Sequence, residues 1–432
     1  MDITHIQGKL KNGAQYIIAN TGCGSSCTIL VLFRVGSKNE GHGLKGVSHF
    51  IEHMMFKGTQ NRPNPKDITS TIYQFGGKIN AFTDYDNTGY FVKLDRDHID
   101  LAMDILSDSL YNSLFRASDI EMEKGVVISE NLKNDTNPQR LGSQLNQSQI
   151  FRGTPLQTSI GGLNSDIQKF NQTKVITYLA NHYHPKNMVI SVAGNLPSNI
   201  QKRIVHWFDK DIANVSVKIR VNAPKYKMDQ IIKSDPPYIN KLFENAEQNI
   251  GFIGFPSYSF GDPNSYAADI LANILAGNMS SRLFVRLREQ EGLVYVINEQ
   301  MGEYDEIGSL KLWFGTFPDK KSVDRCCSII SDELKKIKKE LIEEKELEEF
   351  KRFVIGRLLM GTENTEEVAT FYGQHLLFLG SPMTYRDIVK AYEKVTAKDI
   401  MIVANHIFQK KKLNVTIVGP KKIANPFEKL SL

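Results

Sequence analysis

The 432-residue sequence predicts an α+β fold made of two homologous domains related by an internal duplication. Three observations support this prediction. Strands and helices follow one another without the strict alternation that a doubly wound parallel sheet requires. The two halves of the chain repeat the same order of elements. Their closing segments, NHYHPKNMVISVAGN in the first half and NHIFQKKKLNVTIVGP in the second, also match directly.

The first half contains, in order, a hairpin, a strand, a helix, two alternating strands, an amphipathic helix, a further helix and a closing strand. The further helix is expected to begin at Ser118 as its N-cap, with Glu121 at the capping-box position. The other elements are expected at 28–35 (strand), 45–57 (helix), 78–94 (strand pair), 97–115 (helix) and 183–196 (closing strand).

The second half repeats this order. Its elements are expected at 249–258 (strand), 266–277 (helix), 294–316 (strand pair), 322–341 and 345–360 (helices) and 408–420 (closing strand). We therefore assign residues 1–220 to an N-terminal domain and 248–432 to a C-terminal domain. The polar, proline-containing segment 221–247 is the expected linker between them.

Composition and charge exclude several classes of protein. The hydrophobic content of 41% and the charged content of 23% are typical of a globular protein. A net charge of +5, without a basic stripe, does not indicate nucleic-acid binding. No apolar run approaches the ~18 residues of a membrane span, and no targeting signal is visible, so we expect a cytoplasmic location. The spacing of Cys23, Cys27, Cys326 and Cys327 favours reduced thiols.

The residues best suited to chemistry lie in one helix, where His49, Glu52 and His53 form the pattern H-x-x-E-H. Two histidines four residues apart lie on the same helix face, so both imidazoles can bind one Zn²⁺. The opposite face carries the apolar residues Val47, Phe50, Ile51, Met54 and Met55. From this composition about 0.03 matches are expected by chance. The alternative, an ordinary polar helix face with two histidines, is therefore disfavoured.

A catalytic zinc needs a third protein ligand and an open position for water. The best candidate is Glu130, and Glu123 stands seven residues before it, nearly two helical turns away. One of these glutamates can bind the metal while the other orients a histidine. Spacing alone does not decide between these roles, and by itself it favours two solvent-exposed glutamates, because such pairs are common.

With these residues the chain resembles the M16 (pitrilysin-type, inverzincin) zinc metallopeptidases, above all the short bacterial M16B and mitochondrial-processing-peptidase-like members. In that family a glutamate follows the second histidine by 77 residues, and Glu130 occupies this position. The resemblance implies zinc ligands His49, His53 and Glu130 for one Zn²⁺ per chain. It also implies Glu52 as general base and Glu123 beside a ligand. The implied fold is two α/β-sandwich domains of the LuxS/MPP-like metallohydrolase type.

Two further segments resemble the family. The strand containing Asn80 and Ala81 is similar to its substrate-binding edge strand, to which an extended peptide adds as a new strand. Arg288 and Tyr295 match an Arg…Tyr element that approaches the scissile carbonyl and can stabilise an oxyanion. Without the resemblance, we would interpret Ala81 as part of the strand core. We would interpret Arg288 as a surface salt-bridge residue and Tyr295 as a half-buried strand residue.

The sequence thus predicts a zinc endopeptidase that cleaves unfolded peptides or presequence-like segments with a zinc-bound water activated by Glu52. We expect no nucleic-acid or membrane partner. We expect a homodimer, or a heterodimer with a homologous chain. The alternatives are a non-catalytic scaffold subunit of the same fold and an unrelated zinc-dependent binding module. The intact His49, His53, Glu130 and Glu52 set argues against the scaffold.

Overall fold

The computed structural model describes residues 3–210 and 237–428. Within these residues the chain forms two separate β-sheets with helices around them. The strands are β1 (Thr4–Lys9), β2 (Gln15–Asn20), β3 (Ser26–Phe33), β4 (Lys78–Thr83), β5 (Thr88–Asp95), β6 (Met188–Gly194), β7 (Tyr238–Leu242), β8 (Asn249–Ser257), β9 (Val294–Glu303), β10 (Gly308–Thr316) and β11 (Asn414–Gly419).

The helices of the first half, in chain order, are α1 (Val47–Met54), α2 (Pro65–Tyr73), α3 (Ile99–Asn112), α4 (Ala117–Asp135), α5 (Pro138–Ile150), α6 (Asn164–Ile167), α7 (Gln172–His182) and α8 (Ile200–Phe208). Those of the second half are α9 (Ser265–Ala276), α10 (Arg282–Phe284), α11 (Lys320–Lys339), α12 (Glu344–Met360), α13 (Thr365–Leu379), α14 (Tyr385–Glu393) and α15 (Ala397–Ile407). A π-helical turn, Val285–Gln290, continues α10.

The two sheets have equivalent strand orders. The first is β1-β2-β6-β3-β5-β4 and the second is β7-β11-β8-β10-β9. Leaving out β1, each strand of the first sheet has a counterpart at the same place in the second. Each sheet contains one parallel pair, β2 with β6 and β7 with β11. The predicted α+β duplication is therefore confirmed, and β4 and β9 are equivalent edge strands.

Both faces of the first sheet are covered, which explains why the central strand β3 is apolar almost throughout. Ile29, Val31 and Phe33 belong to the core shared with α1 and α3. Leu30 and Leu32 alternate with them and face a second core that contains residues of α13. This alternation is the period-two pattern of a strand with two buried faces.

Each half of the sequence contributes a helix to the other half's sheet. One compact unit consists of Met1–Asn131, Thr158–Ala223 and Leu358–Tyr385, and the other consists of Leu132–Gln157, Pro224–Arg357 and Arg386–Leu432. In unit 1, α13 lies so close to the sheet that a Cβ on Gly373 would come within 2.8 Å of Leu32. In unit 2, a Cβ on Gly142 of α5 would come within 2.5 Å of Phe252.

Two local expectations need correction. The segment 221–247 was expected to be a linker, and its residues 221–236 lie outside the described residues. The remainder of the segment contains strand β7, followed by the start of a turn. Ser118 does not cap α4, because the helix already begins at Ala117 and the Ile120 N–H bonds to the Arg116 carbonyl. The domain division at this linker stays a prediction.

The described helices include none that is both long and apolar enough to cross a bilayer. The four cysteines are unpaired thiols, with Cys23 exposed and the other three buried.

Candidate metal and catalytic site

Helix α1 buries one face and presents the other to the site, as its sequence pattern predicts. Phe50, Ile51 and Met54 are fully buried in the core of unit 1. Glu52 and His53 are only partly buried, and the His49 side chain is 15% exposed. The polar residues therefore stand together on the face that is not used for packing.

The N-terminus of α1 is held by Glu40, which the sequence analysis did not identify. The N-cap residue is Gly46 in a left-handed conformation (φ 96°), so it has no side chain with which to cap the helix. Instead, the Glu40 carboxylate accepts hydrogen bonds from the Gly46 N–H at 2.7 Å and the Ser48 N–H at 2.8 Å. Burial raises the pKa of Glu40 to about 8. No local pattern distinguishes a glutamate six residues before an N-cap.

The structure brings His49, His53 and Glu130 together. One potential ligand atom from each lies within 4.8 Å of the others. Glu130 Oε2 is 3.5 Å from His53 Nε2 and 3.9 Å from His49 Nε2. Glu130 reaches this place from α4, which also supplies Glu123 beside His53. Their assignment as ligands stays a prediction that this geometry supports.

The chemistry of the three donors fits zinc. Two imidazole nitrogens and one carboxylate oxygen make up the ligand set typical of a catalytic zinc site. Burial, with the nearby His53, lowers the pKa of His49 to about 4, although Glu130 opposes this. His49 is thus neutral at physiological pH, as metal binding requires. Its Nδ1 is buried without a hydrogen-bond partner, which leaves Nε2 toward Glu130.

Glu123 holds the second histidine in orientation. His53 Nδ1 is 2.8 Å from Glu123 Oε1, and the other oxygen of Glu123 forms an ion pair with Lys57. Burial opposes the charge on Glu123, but hydrogen bonds from His53 and Lys57 lower its pKa. Likewise, burial opposes protonation of His53, but Glu123 raises its pKa. With Nδ1 engaged, Nε2 of His53 is the atom that faces Glu130. Lys57 was not identified from the sequence.

Glu52 is linked to the edge strand of the first sheet. The Thr83 hydroxyl at the end of β4 donates a 2.6 Å hydrogen bond to Glu52 Oε2. Burial raises the pKa of Glu52, although this hydrogen bond opposes the change. The Thr83 contact was also not predicted, because it depends on how α1 packs against β4.

The predicted substrate-binding residues lie on β4, which within the described residues pairs only with β5. Asn80 is exposed and Ala81 is half-buried. The Asn80 side-chain oxygen accepts a 2.9 Å hydrogen bond from the Ala81 N–H. Since β4 ends at Thr83, the edge strand leads directly to the partner of Glu52.

Arg288 and Tyr295 lie together in unit 2, whereas the metal-ligand cluster lies in unit 1. Arg288 belongs to the π-helical turn, and its guanidinium carbon is 4.8 Å from the centre of the Tyr295 ring and 4.9 Å from that of Phe284. Tyr295 is 75% exposed. The two residues thus form a cation–π pair between the half-buried Arg288 and the exposed Tyr295, and their approach to substrate stays a prediction.

Two family models match the chain. The model described as insulinase (peptidase family M16) matches residues 16–163, which include α1 and Glu130. The model described as the peptidase M16 inactive domain matches residues 169–354. The chain belongs to peptidase family M16.

Relatives of this M16 peptidase are similar over nearly its whole length. The uncharacterized zinc protease YmxG of Bacillus subtilis is 28% identical over 398 residues, which cover 92% of this chain and 94% of YmxG. A protease structure from Helicobacter pylori superposes with a TM-score of 0.89 at 21% identity, covering 97% of this chain and all of that one. A chain in a structure of complex III2 from Candida albicans has a TM-score of 0.81 at 16% identity, covering 98% and 96%.

The two structural likenesses establish the fold alone. The family match and the similarity to relatives named zinc proteases support the broader activity, that of a zinc metallopeptidase.

Proposed function

We propose that this M16 peptidase is an endopeptidase that cleaves unfolded peptides with one Zn²⁺ per chain and Glu52 as general base. The observation that carries the proposal is the convergence of His49, His53 and Glu130 within 4.8 Å. Glu52 lies on the same face of α1 as the two histidines. The scaffold alternative does not require any of these side chains to meet.

His49, His53 and Glu130 would hold the zinc, and Glu123 would keep His53 in its ligating orientation through Nδ1. A zinc ion with three protein ligands and an open position lowers the pKa of water and polarises a peptide carbonyl. Neutral His49 supports this role, since a proton does not compete for its nitrogen at pH 7.

Glu52 would accept the proton of the attacking water and later deliver it to the leaving amine. Thr83 donates to Oε2, and we propose that Oε1 is the oxygen that takes the proton. Burial raises the pKa of Glu52, which makes its carboxylate a better proton acceptor than a solvent-exposed one. The Thr83 hydrogen bond also fixes the carboxylate plane, so the base is positioned before substrate arrives.

The substrate would bind in extended form along the free edge of β4. An edge strand offers main-chain N–H and C=O groups to an extended peptide, whereas most backbone groups of a folded substrate are already paired within its own structure. Asn80 and Ala81 lie on this strand, three and two residues before the partner of Glu52. A peptide paired with β4 would therefore run toward the general base.

Arg288 and Tyr295 would stabilise the oxyanion as hydrogen-bond donors. They belong to the other unit of the chain, so we propose a homodimer in which the zinc-binding unit of one protomer faces Arg288 and Tyr295 of its partner. A heterodimer with a homologous chain would satisfy the same requirement. We propose a cytoplasmic location for this assembly.

The substitution Glu52→Gln tests the mechanism. The amide keeps the shape of the side chain but cannot take the water proton, so we expect a loss in kcat on the order of 10²-fold or more with zinc retained. Cleavage of an unstructured peptide and metal content should be measured on the same sample. Wild-type kcat in a zinc-loaded Glu52→Gln enzyme would remove Glu52 from this role.

Complementation tests the dimer. Glu52→Gln and the double variant Arg288→Ala/Tyr295→Phe should each be weak, and subunit exchange should restore one intact site per mixed dimer. A Glu52→Gln/Arg288→Ala/Tyr295→Phe chain is the matched control, because it cannot complement Glu52→Gln. If exchange is demonstrated and activity does not recover, the composite site is wrong.

The second candidate is a non-catalytic scaffold. It is favoured by the match of residues 169–354 to a model described as the peptidase M16 inactive domain. This candidate predicts that the wild-type chain cleaves no unstructured peptide even when it contains zinc.

A further inference from the structure

Residues 36–40 of unit 1, which we call the bridging segment, lie between β3 and α1 and contact two other elements. One is the turn 84–87, which follows Thr83 at the end of β4 and leads into β5. The other is the N-terminus of α1, the helix that carries Glu52. The segment therefore joins the same two elements that meet in the hydrogen bond between Thr83 and Glu52.

Backbone contacts join the bridging segment to the turn. The Ser37 N–H donates to the Asp84 carbonyl at 3.1 Å. The Lys38 N–H donates to the Tyr85 carbonyl at 3.0 Å. Gly36 is so close that a Cβ there would lie 2.2 Å from the Asp84 carbonyl oxygen, a distance that Cβ atoms do not reach. Any larger residue at position 36 would therefore displace the turn.

A buried ion pair makes a further connection between the segment and the turn. Lys38 Nζ is 2.6 Å from Asp86 Oδ1, and the two side chains are only 7% and 3% exposed. Replacing a buried ion pair by well-packed apolar residues is often neutral or stabilising, so stability alone does not account for this pair. What the pair adds is a fixed geometry, because a buried charge that leaves its partner is strongly penalised. Asp86 is thereby held at one place, three residues after Thr83.

The other end of the bridging segment holds α1. The carboxylate of Glu40 accepts the N–H groups of Gly46 and Ser48 at the start of the helix. Ser48 stands four residues, about one helical turn, before Glu52. Lys38 thus connects the segment to the turn after Thr83, and two residues later Glu40 connects it to the helix of Glu52.

We propose that Lys38 and Asp86 are positioning residues for the general base, because their ion pair keeps the Thr83 hydroxyl within hydrogen-bond distance of Glu52. When the pair is removed, Glu40 still holds α1, and the turn that carries Thr83 is the part that moves. The proposal rests on the proposed function of Glu52 as the base. Its structural part requires neither zinc nor peptide cleavage.

A double-mutant cycle on kcat tests whether the pair acts through Thr83. Thr83→Val removes the hydrogen bond itself, and Lys38→Met/Asp86→Leu removes the ion pair without leaving an unpaired charge. Each should lower kcat about 10-fold with zinc retained, because the base is no longer held in its orientation. The combined variant should lose no more than Thr83→Val alone. Losses that multiply, or an unchanged kcat in Lys38→Met/Asp86→Leu, would overturn the proposal.

The matched control removes an ion-pair partner elsewhere in unit 1. Asp104 pairs with Arg62, which keeps Asp108 as a second partner. Asp104→Asn should leave kcat unchanged, both in the wild-type chain and together with Thr83→Val. A loss equal to that of Lys38→Met/Asp86→Leu would show that any weakened ion pair in unit 1 has this effect, and would contradict a specific positioning role.

Crystal structures of the metal-free wild-type and variant chains test the same proposal without activity. The Thr83 hydroxyl should be 2.6 Å from Glu52 Oε2 in the wild type and beyond hydrogen-bond distance in Lys38→Met/Asp86→Leu. If that variant does not fold, Gly36→Ala should displace the turn by steric contact and break the same hydrogen bond. An intact hydrogen bond in the folded variant would overturn the proposal. A wild-type chain that cleaves no peptide would refute the proposed function, and these structures would still decide whether the pair positions Glu52.

Discussion

Helices α1 and α9 occupy the same place in the two units, since each follows the central strand of its sheet and precedes the edge strand. They differ in what they carry. In α1 one face is apolar and the other presents His49, Glu52 and His53. In α9 ten of twelve residues are buried, and its polar pair Asp269 and Asn273 bond to each other at 3.0 Å. The duplication thus supplied two equal scaffolds, and only one of them holds a set of metal-binding side chains among the described residues.

The faces covered by the exchanged helices differ as well. In unit 1, α13 packs on apolar residues of the first sheet, with Ser191 donating to the Ala369 carbonyl at 2.7 Å. In unit 2, Asn146 of α5 donates to the Asn414 carbonyl at 3.1 Å. Gly254, whose Cβ would meet Asn146, lies directly opposite the buried Lys311. Equivalent backbones therefore tolerate very different interiors, one mostly apolar and one with buried polar side chains.

The largest effect should come from removing a proposed zinc ligand from unit 1, so that this unit, like unit 2, lacks a complete set of ligands. Glu130→Gln and His53→Ala should each lose most of the zinc and nearly all peptidase activity, because two ligands bind zinc weakly. Metal analysis after dialysis and the cleavage rate are the measurements. Glu121→Gln, an exposed glutamate on the same helix α4, is the matched control and should behave as wild type. Full zinc occupancy in Glu130→Gln would remove Glu130 from the ligand set.

A smaller effect is expected from the residue behind His53. Glu123→Gln keeps a hydrogen-bond acceptor near His53 Nδ1 but loses the charge that pairs with Lys57. We expect a loss of about 10–100-fold in zinc affinity or activity. Lys57→Met should also lower zinc affinity or activity, but by a smaller factor than Glu123→Gln. An unchanged zinc affinity and rate in Glu123→Gln would show that His53 needs no such support.

The smallest effect concerns stability, and it is located in unit 2. Burial lowers the pKa of Lys311 to about 8 from 10.5, so between these pH values the unfolded chain binds more protons than the folded one. Stability therefore rises with pH across this window, and the burial penalty is fully present below pH 8. Lys311→Met should stabilise unit 2 by on the order of 2 kcal/mol at pH 7, less as pH approaches 10. Urea denaturation at both pH values measures this. Lys311→Arg, which stays charged, should gain nothing.

Much of the local structure is predictable because it depends on short-range periodicity. The face of α1 that carries His49 and His53 follows from a spacing of four residues, and the strand pair around β4 and β5 follows from alternation. Glu130 is different, because only the family resemblance connects it to residues 77 positions earlier. Its arrival beside His53 depends on how α4 is placed by the core that it shares with α1.

The unpredicted features depend on contacts between distant segments. Glu40, Lys57 and Thr83 support the site through single hydrogen bonds or ion pairs that leave no repeating pattern in the sequence. The exchange of α5 and α13 between units was missed for the same reason, since a helix's apolar face does not specify which sheet it covers. Strand β7 was assigned to a linker because only its pairing with β11 makes it a strand.

The most direct test of the account is the location of zinc in crystals of the wild-type chain, measured by anomalous diffraction on both sides of the zinc absorption edge. We predict one zinc peak per chain, in contact with His49, His53 and Glu130, and its absence in crystals of Glu130→Gln. A zinc peak bound by residues of unit 2, or a zinc-free cluster in crystals of an enzyme that cleaves peptide, would contradict the account.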